Sequence, residues 1–434
     1  MLFYSTNGKS PAVSFREALL QGLAPDGGLF IPATIPTIPS ELLREFRGRS
    51  LAEISFEIAK AFLEAEISSV ELSRIVEDGI CFDAPLIRLA GGLHVLELFH
   101  GPTLAFKDFG ARFMARVMSY FVRTSGQQWT VLVATSGDTG SAVADGFHGV
   151  EGIRVILLYP GGRVSEIQEK QLTTIGDNVM ALEIQGSFDD CQRLVKEAFL
   201  DSDIRQKLRL TSANSINIAR LIPQSFYYFY SYSRLERDDV AAVFSVPSGN
   251  FGNLTAGLFA REMGLPVSRF IAATNRNDVV PSYLRSGVFQ PRASVTTLSN
   301  AMDVGNPSNF ARILTLYNNN LDTIRGRIYG AAFSDDETRA GIRELWERFA
   351  YLCDPHGAIG YLALKAYLSN FGGSPDGIFL ATAHPAKFPE VLCEAAQVRP
   401  PVPERLQQCL SKQKQSILLP SDFLALKSFL LSGA

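Results

Sequence analysis

The 434-residue chain has little of what builds metal sites, disulfide frameworks or membrane spans. Its five cysteines (Cys81, Cys191, Cys353, Cys393 and Cys409) are odd in number, far apart and in no CxxC pairing. Neither a disulfide framework nor a zinc site is suggested. The five histidines (His94, His100, His148, His356 and His384) are equally scattered, and none forms an HExxH-type ligand pair. No metal is expected. No apolar run approaches the ~18 residues of a membrane helix, and Met1–Ser10 lacks the basic-then-apolar profile of a signal peptide. A cytoplasmic protein with no membrane partner is the economical expectation. Charge of one sign is missing too: the net charge is −3 with acids and bases mixed along the chain. This leaves no basic stripe for a nucleic acid. Internal repeats and low-complexity tracts are absent.

What is there is a core. Apolar residues make up 46 % and charged residues 20 %, a balance that fits a folded protein and argues against wholesale disorder. The length calls for two or more domains. Residues 1–90 form a mixed N-terminal segment, with turn formers at Gly22–Pro32 and helical apolar spacing at Ala52–Glu66. From about His94 short apolar runs read as strands at Val95–Leu98, Thr130–Ala134, Arg154–Leu158 and Val179–Ile184. Between them Phe109, Phe113, Val117 and Phe121 put one apolar stripe on a helix after Lys107, and Asp189–Leu200 reads as another helix. Such alternation implies parallel sheets with crossover helices. An aromatic-rich helical pattern, Ile216–Leu235, is interrupted by Pro223. A second alternating block has strands at Ala241–Val246, Phe270–Ala273 and Ile378–Ala381. The expected division is therefore 1–90, 91–235 and 236–434. Asn275–Pro307 is loop-rich.

Four segments invite chemistry. In HGPTLAFKDFG (His100–Gly110), Lys107 opens a helix among Leu104, Phe106 and Phe109. An apolar setting disfavours the charged lysine, lowers its pKa and makes its amine nucleophilic. The plainer alternative is a snorkelling surface lysine. TSGDTGSA (Thr135–Ala142) follows a strand and opens a helix, where free backbone N–H groups suit an anion such as a carboxylate; a turn capped by Ser136 or Asp138 would look the same. In SVPSGNFGNLTAG (Ser245–Gly257), Gly249 and Gly252 allow close backbone approach. Asn250, Phe251 and Asn253 offer further amides for a phosphate, although the motif is neither GxGxxG nor a P-loop. LATAHPAKFPE (Leu380–Glu390) ends a strand at Thr382, where ligands of open α/β sheets sit; on the plainer view His384 and Lys387 are simply solvated. Together the four fit a phosphorylated aldehyde cofactor and an amino-acid substrate.

In order and spacing these motifs, with GLAPDGGLFIP (Gly22–Pro32) and NSINIARLIPQ (Asn214–Gln224), resemble those of the threonine synthases, in particular the longer bacterial and fungal branch. The likeness covers nearly the whole chain. It implies a fold type II pyridoxal-phosphate enzyme: two parallel-sheet α/β domains with the cofactor in the cleft between them, plus the N-terminal segment. It implies conversion of O-phospho-L-homoserine and water to L-threonine and phosphate by γ-elimination and β-hydration, the last step of threonine biosynthesis. By the resemblance Lys107 is the Schiff-base lysine, and Gly249, Asn250, Phe251, Gly252 and Asn253 cradle the cofactor phosphate. Thr382 faces the pyridine nitrogen. Ser136, Asp138 and Thr139 lie toward the substrate carboxylate, with Asp138 near the cofactor's phenolic oxygen. Asn214, Ser215 and Arg220 are the candidates for the substrate phosphate. The competing reading of Arg220 is a structural ion pair. A monomer or homodimer is expected. Two alternatives stay open: another fold II lyase such as a phosphothreonine lyase or a serine/threonine dehydratase, and a non-catalytic phosphate-binding relative. The second phosphate site discriminates the first; Lys107 argues against the second.

Overall fold

A stripe of aromatic and branched residues at four-residue spacing closes a helix onto a core. Phe109, Phe113 and Val117 are fully buried on the helix Lys107–Ser125, which ends at Gly126 in the left-handed conformation (φ 62°). The computed structural model describes residues 1–135, 137–236, 241–371 and 376–432. Among these, β1 (Leu2–Ser5), β2 (Val13–Ser14) and β3 (Phe30–Pro32) make a small antiparallel sheet. The antiparallel pair β4 (Leu86–Ala90) and β5 (Leu93–Glu97) follows. The next strands are β6 (Trp129–Ala134), β7 (Ile153–Pro160), β8 (Val179–Gln185) and β9 (Leu210–Thr211). After them come β10 (Ala242–Pro247), β11 (Val267–Thr274), β12 (Ile328–Ala332), β13 (Gly377–Ala381) and β14 (Ile417–Pro420).

Two sheets organise the rest. One has the order β14-β8-β7-β6-β9 and is parallel throughout. The other has the order β12-β11-β10-β13-β5-β4 and is parallel except for β4. Parallel strands joined by helices are buried on both faces: β10 and β13 are buried at every residue. Sheet membership departs from the contiguous division 1–90, 91–235 and 236–434. β4 and β5 belong with β10–β13, and β14 adds an edge beside β8. The reason is that β5 finds its partner in β13, with Leu93 opposite Gly377 and Glu97 opposite Ala381. That pairing spans most of the chain and leaves no mark on local apolar spacing.

The N-terminal segment is not a separate body. Ile54, Ile58 and Phe62 on the helix Leu51–Leu63 share one core cluster with Phe109, Phe113 and Phe226. The ring of Phe46 meets that of Phe229 edge-on at 6.2 Å. The expected helix Ile216–Leu235 is broken into the turn Ile218–Leu221, a 3-10 turn Ile222–Ser225 and the helix Phe226–Ser233. Pro223 lacks the N–H that a continuous α-helix needs there. Asn275–Pro307 contains a helix, Val279–Ser286, and a short turn, Asn300–Met302. Side chains hold the loop that follows: Asn275 donates to Thr297, Ser299 and Asp303, and Asn277 donates to Val295 O.

Candidate active site

Lys107 follows a loop that is pinned to the end of β13. Leu98 N donates to Ala381 O, Phe106 N to Thr382 O at 2.9 Å and His384 N to Leu104 O at 3.0 Å; Ala105 and Ala383 form an antiparallel bridge. The expected lysine and Thr382 therefore lie on adjoining chain segments at the carboxyl end of the larger sheet. Lys107 is half-buried, with its Nζ 5.7 Å from the Phe106 ring centroid. Burial lowers its pKa below the usual lysine value; the Asp138 carboxylate opposes this, while Lys387 and Arg220 add to it. The hydroxyl-bearing Thr382 is buried. Asp108, next to Lys107, is buried and takes 2.5 Å and 2.8 Å hydrogen bonds from Thr103 Oγ1 and N. Burial raises its pKa to about 6 against those bonds.

The loop after β6 forms as its glycines dictate. Thr135 Oγ1 accepts from Gly137 N at 3.1 Å and Gly140 N at 2.8 Å. Gly137 has φ 151°, and a Cβ there would lie 2.6 Å from the Gln168 amide nitrogen. Asp138 opens the helix Asp138–Phe147, with Thr139 half-buried behind it. Ser136 lies outside the described residues. Asp138 Oδ1 accepts from Lys387 Nζ at 2.9 Å and from Gln168 Nε2 at 3.3 Å. Burial would raise its pKa, but Lys387 and Lys107 hold its carboxyl well below the usual carboxylate range. Lys387 is buried and His384 half-buried, which corrects the view of both as solvated. The β13 turn folds inward because Leu104 and Phe106 take up its backbone. Burial lowers the pKa of His384 to about 4, so it is neutral at pH 7.

The loop after β10 presents its backbone. Phe251 is in the left-handed conformation (φ 61°) and caps the helix Gly252–Glu262. Among the described residues no hydrogen bond is formed by the N–H groups of Gly249, Asn250 and Phe251. Free N–H groups ahead of a helix start make an anion cradle. The two glycines differ. A Cβ on Gly249 would lie 2.7 Å from Ala301 O and 2.9 Å from Met302 Cα, whereas one on Gly252 meets nothing closer than Asn309 Nδ2 at 3.5 Å. Gly249 is thus needed for the chain crossing it, whereas a Cβ on Gly252 would meet its neighbours only at ordinary contact distance. Gly252→Val is expected to yield a folded protein that purifies largely without cofactor. Gly249→Ala should lower the melting temperature. Normal cofactor content in folded Gly252→Val would remove that loop from the phosphate site. Asn250 Oδ1 accepts from Ser308 Oγ at 3.3 Å. Asn253 turns its side chain inward, where Oδ1 accepts from Tyr227 and Tyr228 hydroxyls, both at 2.6 Å. Its Nδ2 is buried without a partner among the described residues.

Asn214 ties the second phosphate candidates to the first loop, donating from Nδ2 to Ala134 O at 3.0 Å. Ser215 lies 3.7 Å from the Cβ position of Gly252 and accepts at its carbonyl from Asn309 Nδ2 and Arg312 Nη1. Arg220 is 3 % exposed. It donates to Ala213 O at 2.5 Å and to Lys107 O at 3.5 Å, and its Nε has no partner. Among the described residues no carboxylate pairs with it, so the ion-pair reading fails. Burial lowers its pKa to about 10, with Asp108 opposing. Arg312, Asn309, Gln168 and Lys387 escaped sequence reading. A fully buried arginine such as Arg312, bonded to the carbonyls of Phe30, Ser215 and Ile216, leaves no local signal.

A lysine with its charge disfavoured, an amide cradle after β10 and a hydroxyl at the end of β13, all at the carboxyl end of the larger sheet, define a fold type II pyridoxal-phosphate enzyme. Residues 2–80 match the family model "Threonine synthase N terminus", residues 83–382 "Pyridoxal-phosphate dependent enzyme" and residues 357–430 "Threonine synthase, C-terminal". The threonine synthase of Haemophilus influenzae is 45% identical, covering 100% of both chains. Two solved structures are similar throughout. The threonine synthase of Escherichia coli has a TM-score of 0.93 at 41% identity and covers 100% of both chains. The pyridoxal-phosphate-bound threonine synthase of Brucella melitensis has a TM-score of 0.94 at 37% identity, covering 99% of this chain and 98% of that one. The chain belongs to the threonine synthase family. It is a pyridoxal-phosphate-dependent lyase, and the residues present fit the cofactor: an amine whose charge burial disfavours, unengaged amides for a dianion, and a glycine at 252 where a Cβ would meet nothing closer than 3.5 Å.

Proposed function

We propose that this threonine synthase converts O-phospho-L-homoserine and water to L-threonine and phosphate with the following division of labour. Lys107 bears the cofactor. The backbone of Gly249, Asn250, Phe251, Gly252 and Asn253 holds the cofactor phosphate, Thr382 faces the pyridine nitrogen and Asp138 stands by the phenolic oxygen. Ser136 and Thr139 take the substrate carboxylate, and Asn214, Ser215 and Arg220 the substrate phosphate. The observation that carries this reading is the buried, carboxylate-free Arg220, bonded to the carbonyl of Lys107 itself. A phosphate dianion is the missing partner of such a cation.

When bound, pyridoxal phosphate supplies an aldehyde for the substrate amine and a ring that accepts electron density from the α carbon. The protein's part is proton handling and orientation. With the cofactor in place, Lys107 Nζ would take the α proton as a general base. Arg220 holds the γ phosphate as it becomes a leaving group. Thr382, being neutral, accepts or donates a hydrogen bond at the ring nitrogen without protonating it as a carboxylate partner would, which keeps the electron sink weaker. Water reaches the β carbon only after phosphate has left.

The enzyme works as a monomer or homodimer in the cytoplasm. No helix among the described residues is long and apolar enough to cross a membrane. Product analysis tests the substrate: threonine and phosphate are expected from O-phosphohomoserine, and no comparable turnover of phosphothreonine. The reverse preference would make the chain a phosphothreonine lyase.

A further inference from the structure

Lys387 sits on the turn after β13, yet its side chain is 0 % exposed and ends 2.9 Å from Asp138 Oδ1, itself 5 % exposed. The two come from different sheets, Lys387 after β13 and Asp138 after β6. A buried ion pair gains little stability over apolar packing, because desolvation of both charges offsets their attraction. Its use here is in what it denies Lys107. Two lysines act on this one carboxylate, and both hold its pKa down. Only Lys387 is bonded to it. Among the described residues no carboxylate forms an ion pair with Lys107, whose Nζ lies instead over the Phe106 ring.

We propose that Lys387 is a positioning residue for Lys107: it takes the Asp138 carboxylate into its own buried ion pair and so keeps that carboxylate from pairing with the Lys107 amine. The surroundings agree. Asp138 acts on Lys107 from the helix Asp138–Phe147, Arg220 from the turn Ile218–Leu221 and Lys387 from the β13 turn; of the three, only Asp138 favours its charge. The neighbouring carboxyl, Asp108, is engaged by Thr103 N and Oγ1. His384, on the same turn as Lys387, is uncharged at pH 7. Gln168 Nε2 gives Asp138 Oδ1 a second, neutral donor. Without Lys387, the carboxylate becomes the partner of Lys107, whose ammonium form is then favoured.

The inference rests on Lys107 as the cofactor-bearing residue, and attachment itself reads it. The neutral Nζ attacks the aldehyde carbon of pyridoxal 5′-phosphate; a C=N bond forms, one water leaves, and nothing is oxidised or reduced. Cofactor-free full-length protein is mixed with pyridoxal 5′-phosphate over about pH 6 to 10, and the rate of the absorbance change is followed for wild type, Lys387→Met, Lys387→Gln and Lys387→Arg. In Lys387→Met and Lys387→Gln the pH midpoint of that rate is expected to rise by at least about one unit, a tenfold loss of neutral amine below it. Lys387→Arg, which keeps a cation, should hold the wild-type midpoint. A residue that merely supports the fold would lower the melting temperature without moving the midpoint. An unmoved or lowered midpoint in folded Lys387→Gln overturns the proposal, and that variant decides if Lys387→Met does not fold. Borohydride labelling of the same samples separates the two levels. Label on Lys107 with an unmoved midpoint rejects the role of Lys387 alone; label on another lysine rejects the assignment beneath it.

Discussion

Lys107→Ala is expected to abolish turnover and the visible absorbance of the bound cofactor while the protein stays folded. The lost general base alone is worth roughly 10²–10⁴-fold, and loss of the covalent attachment removes what remains of the chemistry. The fold should tolerate the change for a stated reason. Burial disfavours the charge on Lys107, and its side chain accepts no ion pair among the described residues, so truncation relieves a cost and breaks no bond. The helix Lys107–Ser125 is held by Phe109, Phe113 and Val117, not by its first residue. The sign with pH follows. A lysine whose folded pKa lies below its unfolded value destabilises the fold as pH falls below that unfolded value, because the unfolded chain then binds the proton more tightly. The alanine protein should therefore lose less stability than wild type between pH 10 and 7. Thermal melts of the cofactor-free proteins at several pH values, and absorbance spectra of the cofactor-loaded ones, check both halves. A visibly absorbing, active Lys107→Ala enzyme would refute the central assignment.

Arg220→Ala should separate the phosphorylated substrate from unphosphorylated ones. Losing one charge-assisted donor costs about 1.5–3 kcal/mol, or roughly tenfold to a hundredfold. kcat/KM for O-phosphohomoserine should fall by at least that factor, while cofactor content and any side reaction on threonine are spared. The seat of Arg220 is built around it. A Cβ on Gly110 would lie 2.8 Å from its Nε, so the glycine lets the helix Lys107–Ser125 pass against the guanidinium. Its bonds to the carbonyls of Ala213 and Lys107 satisfy two of its donors. Those carbonyls lose a donor in the alanine protein, so a modest fall in melting temperature is expected alongside. Steady-state kinetics on both substrates decides. Equal losses on the two would mean that Arg220 supports the site's structure and does not read phosphate.

Much of the molecule follows from local sequence. β6, β7, β8, β10, β11 and β13 each fall where a short apolar run lies between turn formers, because a strand buried on both faces needs continuous apolar residues and its neighbours need glycine or polar caps. The helix after Lys107 is written in its four-residue aromatic spacing. Pro223 marks the break between the turn Ile218–Leu221 and the helix Phe226–Ser233. The glycine-bearing loops at 135–140 and 249–253 announce themselves by composition. Other features have no local trace. That β5 pairs with β13, and β14 with β8, depends on edges brought together across hundreds of residues. That Gly249 is fixed by Ala301 and Met302 while Gly252 is not depends on which chain crosses the loop. Asn253 offers its side chain to Tyr227 and Tyr228, although its sequence setting suggests a ligand contact. Lys387 and Arg312 look like surface residues in the sequence, and only packing makes them buried cations. The motifs set which groups are present; the tertiary structure decides which carboxylate each cation meets, because ionic partners are chosen by distance in space and desolvation by the neighbours that exclude water.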